Sequence, residues 1–209
     1  MGNAQYKLYY FEFKFRAEVI RLIFETAGKP YEDIRFSFEK WPEYKPTAPF
    51  GTAPFLQVTN GSETVWLSES ASIARYLARK FKLAGKSDEE SAIVDMYADQ
   101  ITDLMDLKAK ILIDNDENKK KEDQQKLDNE IIPKYLERFD QRIAQSRSGY
   151  LAPSGLTWVD LYFFNFLDIQ GNKAEAIFDK FANIKQLDQK VRSNPKIAAY
   201  LKRRPVTPF

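Results

Sequence analysis

The stretch YKLYYFEFKFRAEVIRLIFETAGKPYEDIRFSF, residues 6–38, contains two periodicities divided by a stop signal, and its reading decides the fold of the first part of the chain. Tyr6 to Phe11 (YKLYYF) is short, aromatic-rich and unbroken, the pattern of a buried strand. From Arg16 to Ala27 the apolar residues Val19, Ile20, Ile23 and Phe24 recur at helical spacing, and Gly28 supplies a stop. Tyr31 to Phe38 (YEDIRFSF) alternates as a second strand. Strand, helix and strand in that order predict a βαβ unit with two parallel strands and a right-handed crossover.

Further along, Trp41–Pro46 (WPEYKP) leads to Pro54 and the apolar run FLQV, then Asn60-Gly61, then TVWL. Asn-Gly between apolar runs predicts an antiparallel hairpin. Ser70 to Phe81 reads as an amphipathic helix with Ile73, Tyr76, Leu77 and Phe81 on one face. This order, βαβ then hairpin then helix, predicts a first domain over 1–81 with an α/β thioredoxin-like fold that lacks the redox cysteines. Lys82–Glu90 (KLAGKSDEE) reads as a linker, and 91–209 as an all-α domain. Helical periods run from about Glu89 to Ile113, Asp123 to Ala144, Thr157 to Asp168, Ile184 to Val191 and Pro195 to Arg203, with no second strand region and no internal repeat. The polar run Asp114–Lys126 interleaves acids with lysines, so it is expected as a solvated loop and helix start. In LTWVDL, Thr157 and Asp160 have the spacing of a capping box, with Leu156 and Leu161 as its staple, and losing that cap is expected to cost about 1 kcal/mol.

Composition removes whole reaction classes. The 209 residues include no Cys and no His, so no Ser-His-Asp or Cys-His nucleophile, redox CxxC, disulfide or conventional zinc site can be assembled. Acid-base work falls to other side chains, or the nucleophile arrives on a substrate. With 32 Lys and Arg against 30 Asp and Glu, the net charge of +2 gives no strong reason to bind nucleic acid or an anionic membrane. The opening residues lack the charged, apolar, small-residue order of a secretory leader, and no run of about 18 apolar residues occurs, so the expected location is the cytosol.

The motifs LYYF…RAEVIRL, WPEYKP, FGTAPFL, LSESASIARYLARKF, LTWVDLYFF and KIAAYLKRRPVTPF together resemble the sigma class of glutathione transferases, which includes hematopoietic prostaglandin D synthases and helminth and arthropod enzymes. The resemblance runs nearly the whole length and is weakest after Asp114. It implies that glutathione brings the nucleophile, a thiol only a few per cent ionised at neutral pH, and that the protein must favour the thiolate. A hydroxyl donating to the sulfur makes a charge-assisted hydrogen bond of roughly 1.5–3 kcal/mol, enough to lower the thiol pKa by about one to two units. Some relatives use Ser, but the first 25 residues contain no Ser or Thr. On the residues alone, all three tyrosines of YKLYYF read as strand-core aromatics; the motif places the hydroxyl role on Tyr10.

The remaining site residues follow from the same resemblance. Arg16 matches an arginine beside the tyrosine; its other reading is a surface arginine at a helix start. Trp41 and Lys45 meet the glycyl carboxylate. Ala53 before Pro54 matches a cis-proline turn that pairs with the cysteinyl backbone. Glu69 and Ser70 hold the γ-glutamyl end, with Ser70 also a helix N-cap. Asp99 matches an acid that reaches the γ-glutamyl ammonium of the neighbouring subunit, which implies a homodimer. Asp95, Asp99 and Asp103 form a stripe on one helical face, expected to be solvated or paired with Lys and Arg; related synthases bind Mg2+ or Ca2+ there, but no metal is expected here and no permanently bound cofactor. Phe11, Phe13, Phe15, Met105, Tyr162 and Phe209 are the expected walls for a hydrophobic electrophile, with Phe15 at a position often occupied by Gly. The implied activity is conjugation of glutathione to electrophiles or reduction of organic peroxides. Isomerisation of a prostaglandin endoperoxide and a noncatalytic crystallin-like or ligand-carrying role are the alternatives.

Overall fold

The computed structural model describes residues 4–207, which contacts divide into two units. One runs to Leu83 and takes in the chain from Arg192 onward; the other is Ala84–Val191. The sequence reading counts the last helix with the second half, whereas by contacts it clusters with the first.

In the first unit, β1 (Gln5–Phe11) lies between β2 (Glu32–Phe36), to which it is parallel, and β3 (Phe55–Asn60), to which it is antiparallel. β4 (Glu63–Ser68) completes the order β2-β1-β3-β4. The expected hairpin turns at Asn60-Gly61, where Gly61 has φ 62°, a left-handed conformation that glycine adopts without a Cβ penalty. β2 is shorter than YEDIRFSF implied: Tyr31 stays outside the ladder and stacks on Phe24 at 4.5 Å between ring centroids. Helix α1 (Glu18–Ala27) is preceded by a 3-10 turn, Phe15–Ala17, and ends at Gly28, whose φ of 63° lets its N–H reach the Glu25 carbonyl at 3.0 Å. Trp41–Pro46 folds as a short helix α2 (Trp41–Tyr44) continued by a 3-10 turn, Lys45–Thr47. Helix α3 (Ser70–Lys80) packs on α1.

The pleat of β1 gives the unit two apolar layers. Tyr6, Leu8 and Tyr10 are buried on one face, where Tyr6 meets Phe24 of α1 at 5.1 Å. Tyr9 and Phe11 point to the other, joining a cluster built on Phe36, Ala48 and Phe55 with Trp41 and Tyr44. Neighbouring tyrosines thus face opposite sides of the sheet.

The second unit is helical: α4 (Asp88–Ile113), α5 (Glu117–Lys126), α6 (Ile132–Ser146), α7 (Trp158–Asp168), α8 (Lys173–Lys180) and α9 (Ala182–Ser193), which runs on into the residues that cluster with the first unit. α10 (Pro195–Arg203) belongs to the first unit and packs on α1. Two differences from the sequence reading have clear causes. The polar run becomes α5 from Glu117 because Asp116 caps it, accepting from the amides of Asn118 at 2.9 Å and Lys119 at 3.2 Å. The single helix expected over Asp123–Ala144 is broken by a π-helical turn, Leu127–Ile131, just before Pro133, which has no N–H to continue the ladder. α8 escapes the sequence reading because it is only eight residues long and buries only Ala174, too little for a helical period to stand out. α7 is its opposite, buried along almost its whole length, and packs on α4. No helix among the described residues is long and apolar enough to cross a membrane.

Candidate active site

Strand register gathers most of the expected residues at one end of the sheet. Tyr9 pairs with Phe55 across β1 and β3, so Tyr10 and Phe11 run out beside Ala53 and Pro54. Phe55 pairs with Ser68 across β3 and β4, which brings Glu69 and Ser70 to the same end. On the other side Phe11 pairs with Phe36, and the chain continues from there to Trp41 and Lys45.

Of the three strand tyrosines, two have other work. Tyr9 stacks on Phe55 at 4.6 Å and donates to Gln57 Oε1 at 3.2 Å. Tyr6 packs against Phe24 and Phe81, with the Lys80 ammonium over its ring at 5.7 Å. Tyr10 is the last residue of the buried row, 3% exposed, where the strand gives way to the loop leading to α1. The rings of Phe11 and Phe13 meet its edge at 5.5 and 5.3 Å.

Arg16 lies in the 3-10 turn after that loop, its guanidinium 5.7 Å from the Phe15 ring. Phe15 has φ 30°, so the sequence position where glycine is common is one whose backbone favours glycine, held here by burying the ring to 5% exposure. Phe15 therefore offers little surface to a substrate. The accessible aromatic surface comes from Phe11 and Phe13, stacked 5.5 Å apart, and from Phe38, which tilts against Phe11 at 4.5 Å and is 66% exposed. In the sequence Phe38 reads only as the end of an alternating strand, and nothing there signals that its ring is exposed.

Trp41 opens α2 and stacks on Phe36 at 5.6 Å, while Lys45 is exposed at the following turn. The Ala53-Pro54 bond is cis. Glu69, not Ser70, occupies the cap position of α3, with φ 67° and ψ 110°, an uncommon backbone conformation for a residue with a side chain. Its side chain makes no cap hydrogen bond, so no cap side chain takes up the first amides of α3; Ser70 is the first helical residue and is buried. In the second unit Asp99 is exposed on α4. Met105 and Tyr162 are fully buried there, Tyr162 with its hydroxyl 3.4 Å from that of Thr102, so neither offers surface to a ligand. Phe209 lies outside the described residues.

The sequence reading missed a buried ionic cluster beneath Tyr10. Arg21 and Glu18, on the first turns of α1, are both fully buried. Arg21 Nε donates to the two carboxylate oxygens of Asp33 at 3.1 and 3.0 Å, and its Nη1 to the Phe13 carbonyl at 3.0 Å and Glu18 Oε2 at 3.2 Å. Burial alone would lower the Arg21 pKa, but Asp33 and Glu18 outweigh it and raise it above the ordinary arginine value. Charged residues three apart on the otherwise apolar face of a helix were the available signal.

A four-stranded mixed sheet flanked by helices, with a tyrosine, a cis-proline and a helix start at one end, followed by a helical unit, is the two-part architecture of a thioredoxin-like domain joined to an all-α one. Residues 16–80 match the family model for the glutathione S-transferase N-terminal domain and 102–204 that for the C-terminal domain. The chain is 34% identical to a glutathione S-transferase of Anopheles gambiae, over 97% of this chain and 98% of that one, and 37% identical to a probable glutathione S-transferase 6 of Caenorhabditis elegans, over 99% and 100%. Among solved structures it is similar to prostaglandin synthase D of Nilaparvata lugens (37% identity, TM-score 0.86, 97% of this chain and all of that one). A sigma-class enzyme of Fasciola hepatica (30%, 0.88, all of both chains) and a monomeric enzyme of the hookworm Necator americanus (38%, 0.86, 98% and 100%) are also similar. The chain belongs to the glutathione S-transferase family.

Proposed function

We propose that the chain binds glutathione at the end of the sheet where Tyr10, Ala53-Pro54 and Glu69-Ser70 converge, and that the Tyr10 hydroxyl donates a hydrogen bond to the glutathione sulfur and holds it as a thiolate. The observation that carries this reading is the register: Tyr9 opposite Phe55 and Phe55 opposite Ser68 bring three sequence-distant pieces to one place. Each piece suits one part of the tripeptide. A residue before a cis-proline in an extended chain presents its backbone to the cysteinyl segment. The first amides of α3, uncapped by a side chain, and the Ser70 hydroxyl donate to the γ-glutamyl carboxylate, and Glu69 accepts from its ammonium. Trp41 and Lys45 hold the glycyl carboxylate through an indole N–H and a charge. Arg16 adds a fixed positive charge that favours thiolate over thiol.

The reacting step is attack of that thiolate on an electrophile resting against Phe11 and Phe13, or on the oxygen of an organic peroxide. In the second case the O–O bond breaks, the alcohol leaves with a proton from solvent, and a second glutathione thiol attacks the sulfenic acid so formed, releasing water and glutathione disulfide. Asp99 of the partner subunit reaches the γ-glutamyl ammonium in a homodimer. The exposed apolar side chains Val65, Trp66 and Met96 support such an association. No resident metal takes part in this reading, and the reaction belongs in the cytosol.

The test is retention on immobilised glutathione followed by conjugation of an aryl halide. The wild type should bind and turn over; Tyr10→Phe should bind but lose most of its turnover. Full turnover by the variant would remove Tyr10 from the chemistry. The likeness to the Nilaparvata prostaglandin synthase favours a second reading, isomerisation of a prostaglandin endoperoxide by the same thiolate. Assaying that substrate beside the aryl halide separates the two.

A further inference from the structure

Burying a guanidinium and a carboxylate costs more than an apolar pair of similar volume, so a cluster built only for stability has a cheaper alternative. In this chain the cluster sits directly against the proposed catalytic tyrosine. The Arg21 guanidinium carbon is 6.0 Å from the centroid of the Tyr10 ring, and the same group holds the carbonyl of Phe13, whose ring packs on the Tyr10 edge. Its Nη2 is buried with no hydrogen-bond partner among the described residues, a further cost of placing the group there.

The cluster also reaches the last helix. Glu18 Oε2 accepts from the Tyr200 hydroxyl at 3.1 Å and Oε1 from Arg204 Nη1 at 2.8 Å. Asp33, the other carboxylate on Arg21, accepts from Arg35 Nε at 2.8 Å. The groups facing Arg21 are therefore Glu18 from its own helix, Asp33 and Arg35 from β2, Tyr31 ahead of β2, and Tyr200 and Arg204 from the C-terminal segment. Arg21, Arg35 and Arg204 are thus linked through the carboxylates of Asp33 and Glu18 into one ionic network that reaches the ring.

We infer that Arg21 is a positioning residue for Tyr10: it fixes the phenol through the ring face and the Phe13 carbonyl, and Glu18, Tyr200 and Arg204 set how firmly it does so. A cation at the face of a phenol favours negative charge building on its oxygen, which makes the hydroxyl a better donor to a thiolate. Removing the Arg204 charge leaves Glu18 less compensated, and its anion then opposes the thiolate. The C-terminal segment thus tunes sulfur ionisation without touching glutathione. This inference rests on the Tyr10 reading given above.

The experiment is ultraviolet titration of the thiolate of bound glutathione in wild type, Arg21→Lys, Arg204→Gln and Tyr10→Phe, and in the two double variants made in the Tyr10→Phe background. Arg204 is at the edge of the cluster, so that variant keeps the test alive if Arg21→Lys does not fold; circular dichroism and resin retention report folding. The expected result is a rise of about half to one unit in the thiol pKa for Arg21→Lys and a smaller rise for Arg204→Gln, both vanishing when Tyr10 is already Phe. Folded variants with the wild-type pKa would overturn the inference, as would shifts that persist without the Tyr10 hydroxyl. If Tyr10→Phe alone leaves the pKa unmoved, the reading beneath the inference has failed and the inference with it.

Discussion

Tyr9 and Tyr10 are the same side chain in consecutive positions, and the strand pleat separates their fates. Tyr9 is turned toward α2, where it stacks on Phe55 and uses its hydroxyl on Gln57. Tyr10 ends the row that faces α1. That distinction was half-legible in YKLYYF: alternation says the two face opposite ways, but only the motif around them says which face matters. Arg21 was less legible, since a helical arginine three residues from a glutamate ordinarily reads as a surface pair, and its burial depends on Asp33 arriving from another strand. Phe38 makes the residue-scale prediction. Its exposed ring extends the stacked Phe11 and Phe13, so Phe38→Ala should raise KM for an aryl electrophile about two- to tenfold, the worth of one aromatic contact, while turnover of a small alkyl peroxide changes less than about twofold. Equal effects on both substrates, measured by steady-state kinetics, would contradict that placement.

At the scale of elements, those with strong apolar periods were readable and those without were not. β1, α1, the Asn60-Gly61 hairpin, α4, α7 and α10 appear close to where spacing and stop signals put them. α5 and α8 escaped because neither buries an apolar stripe: α5 forms on a cap and on pairs such as Lys120–Glu117 at 2.8 Å, and such local terms leave no periodic trace. The capping box of α7 was legible but undervalued. Asp160 is fully buried and accepts from the Leu151 amide at 2.8 Å, the Thr157 amide at 2.7 Å and the Thr157 hydroxyl at 2.9 Å. Asp160→Ala therefore strands three buried donors, not one cap, and should cost about 3 kcal/mol in urea unfolding instead of about 1.

The same residue carries a pH prediction. Burial, opposed by those hydrogen bonds, pushes Asp160 up to about 6 from an ordinary 3.8. A carboxyl whose folded pKa is raised binds its proton more tightly in the folded state, so its contribution grows as pH falls through 6 and is lost as pH rises. Relative to Asp160→Asn, the wild type should gain at most about 1.4 kcal/mol per unit between pH 7 and pH 5. A difference that does not change with pH in urea titrations would show that the group does not titrate in that window.

At the scale of the whole molecule, the absence of Cys and His narrowed the chemistry before any fold was known, because it left the nucleophile to be borrowed. What sequence could not supply was the association of the segment from Arg192 onward with the first unit, through Tyr200 and Arg204 on Glu18. Contacts separated by more than 180 positions have no local pattern to announce them. The homodimer proposal belongs at this scale: sedimentation equilibrium should give twice the mass of the 209-residue chain, and a mass of one chain would align it with the monomeric hookworm relative and remove the role given to Asp99.

In this proposal one hydroxyl sets the ionisation of a borrowed thiol, and spectroscopic titration of glutathione bound to wild type and to Tyr10→Phe reads that ionisation directly. The bound thiol in the wild type should titrate about one to two units below its ordinary value of about 8.5, and the variant should return most of that shift. The same thiol pKa in both proteins would contradict it.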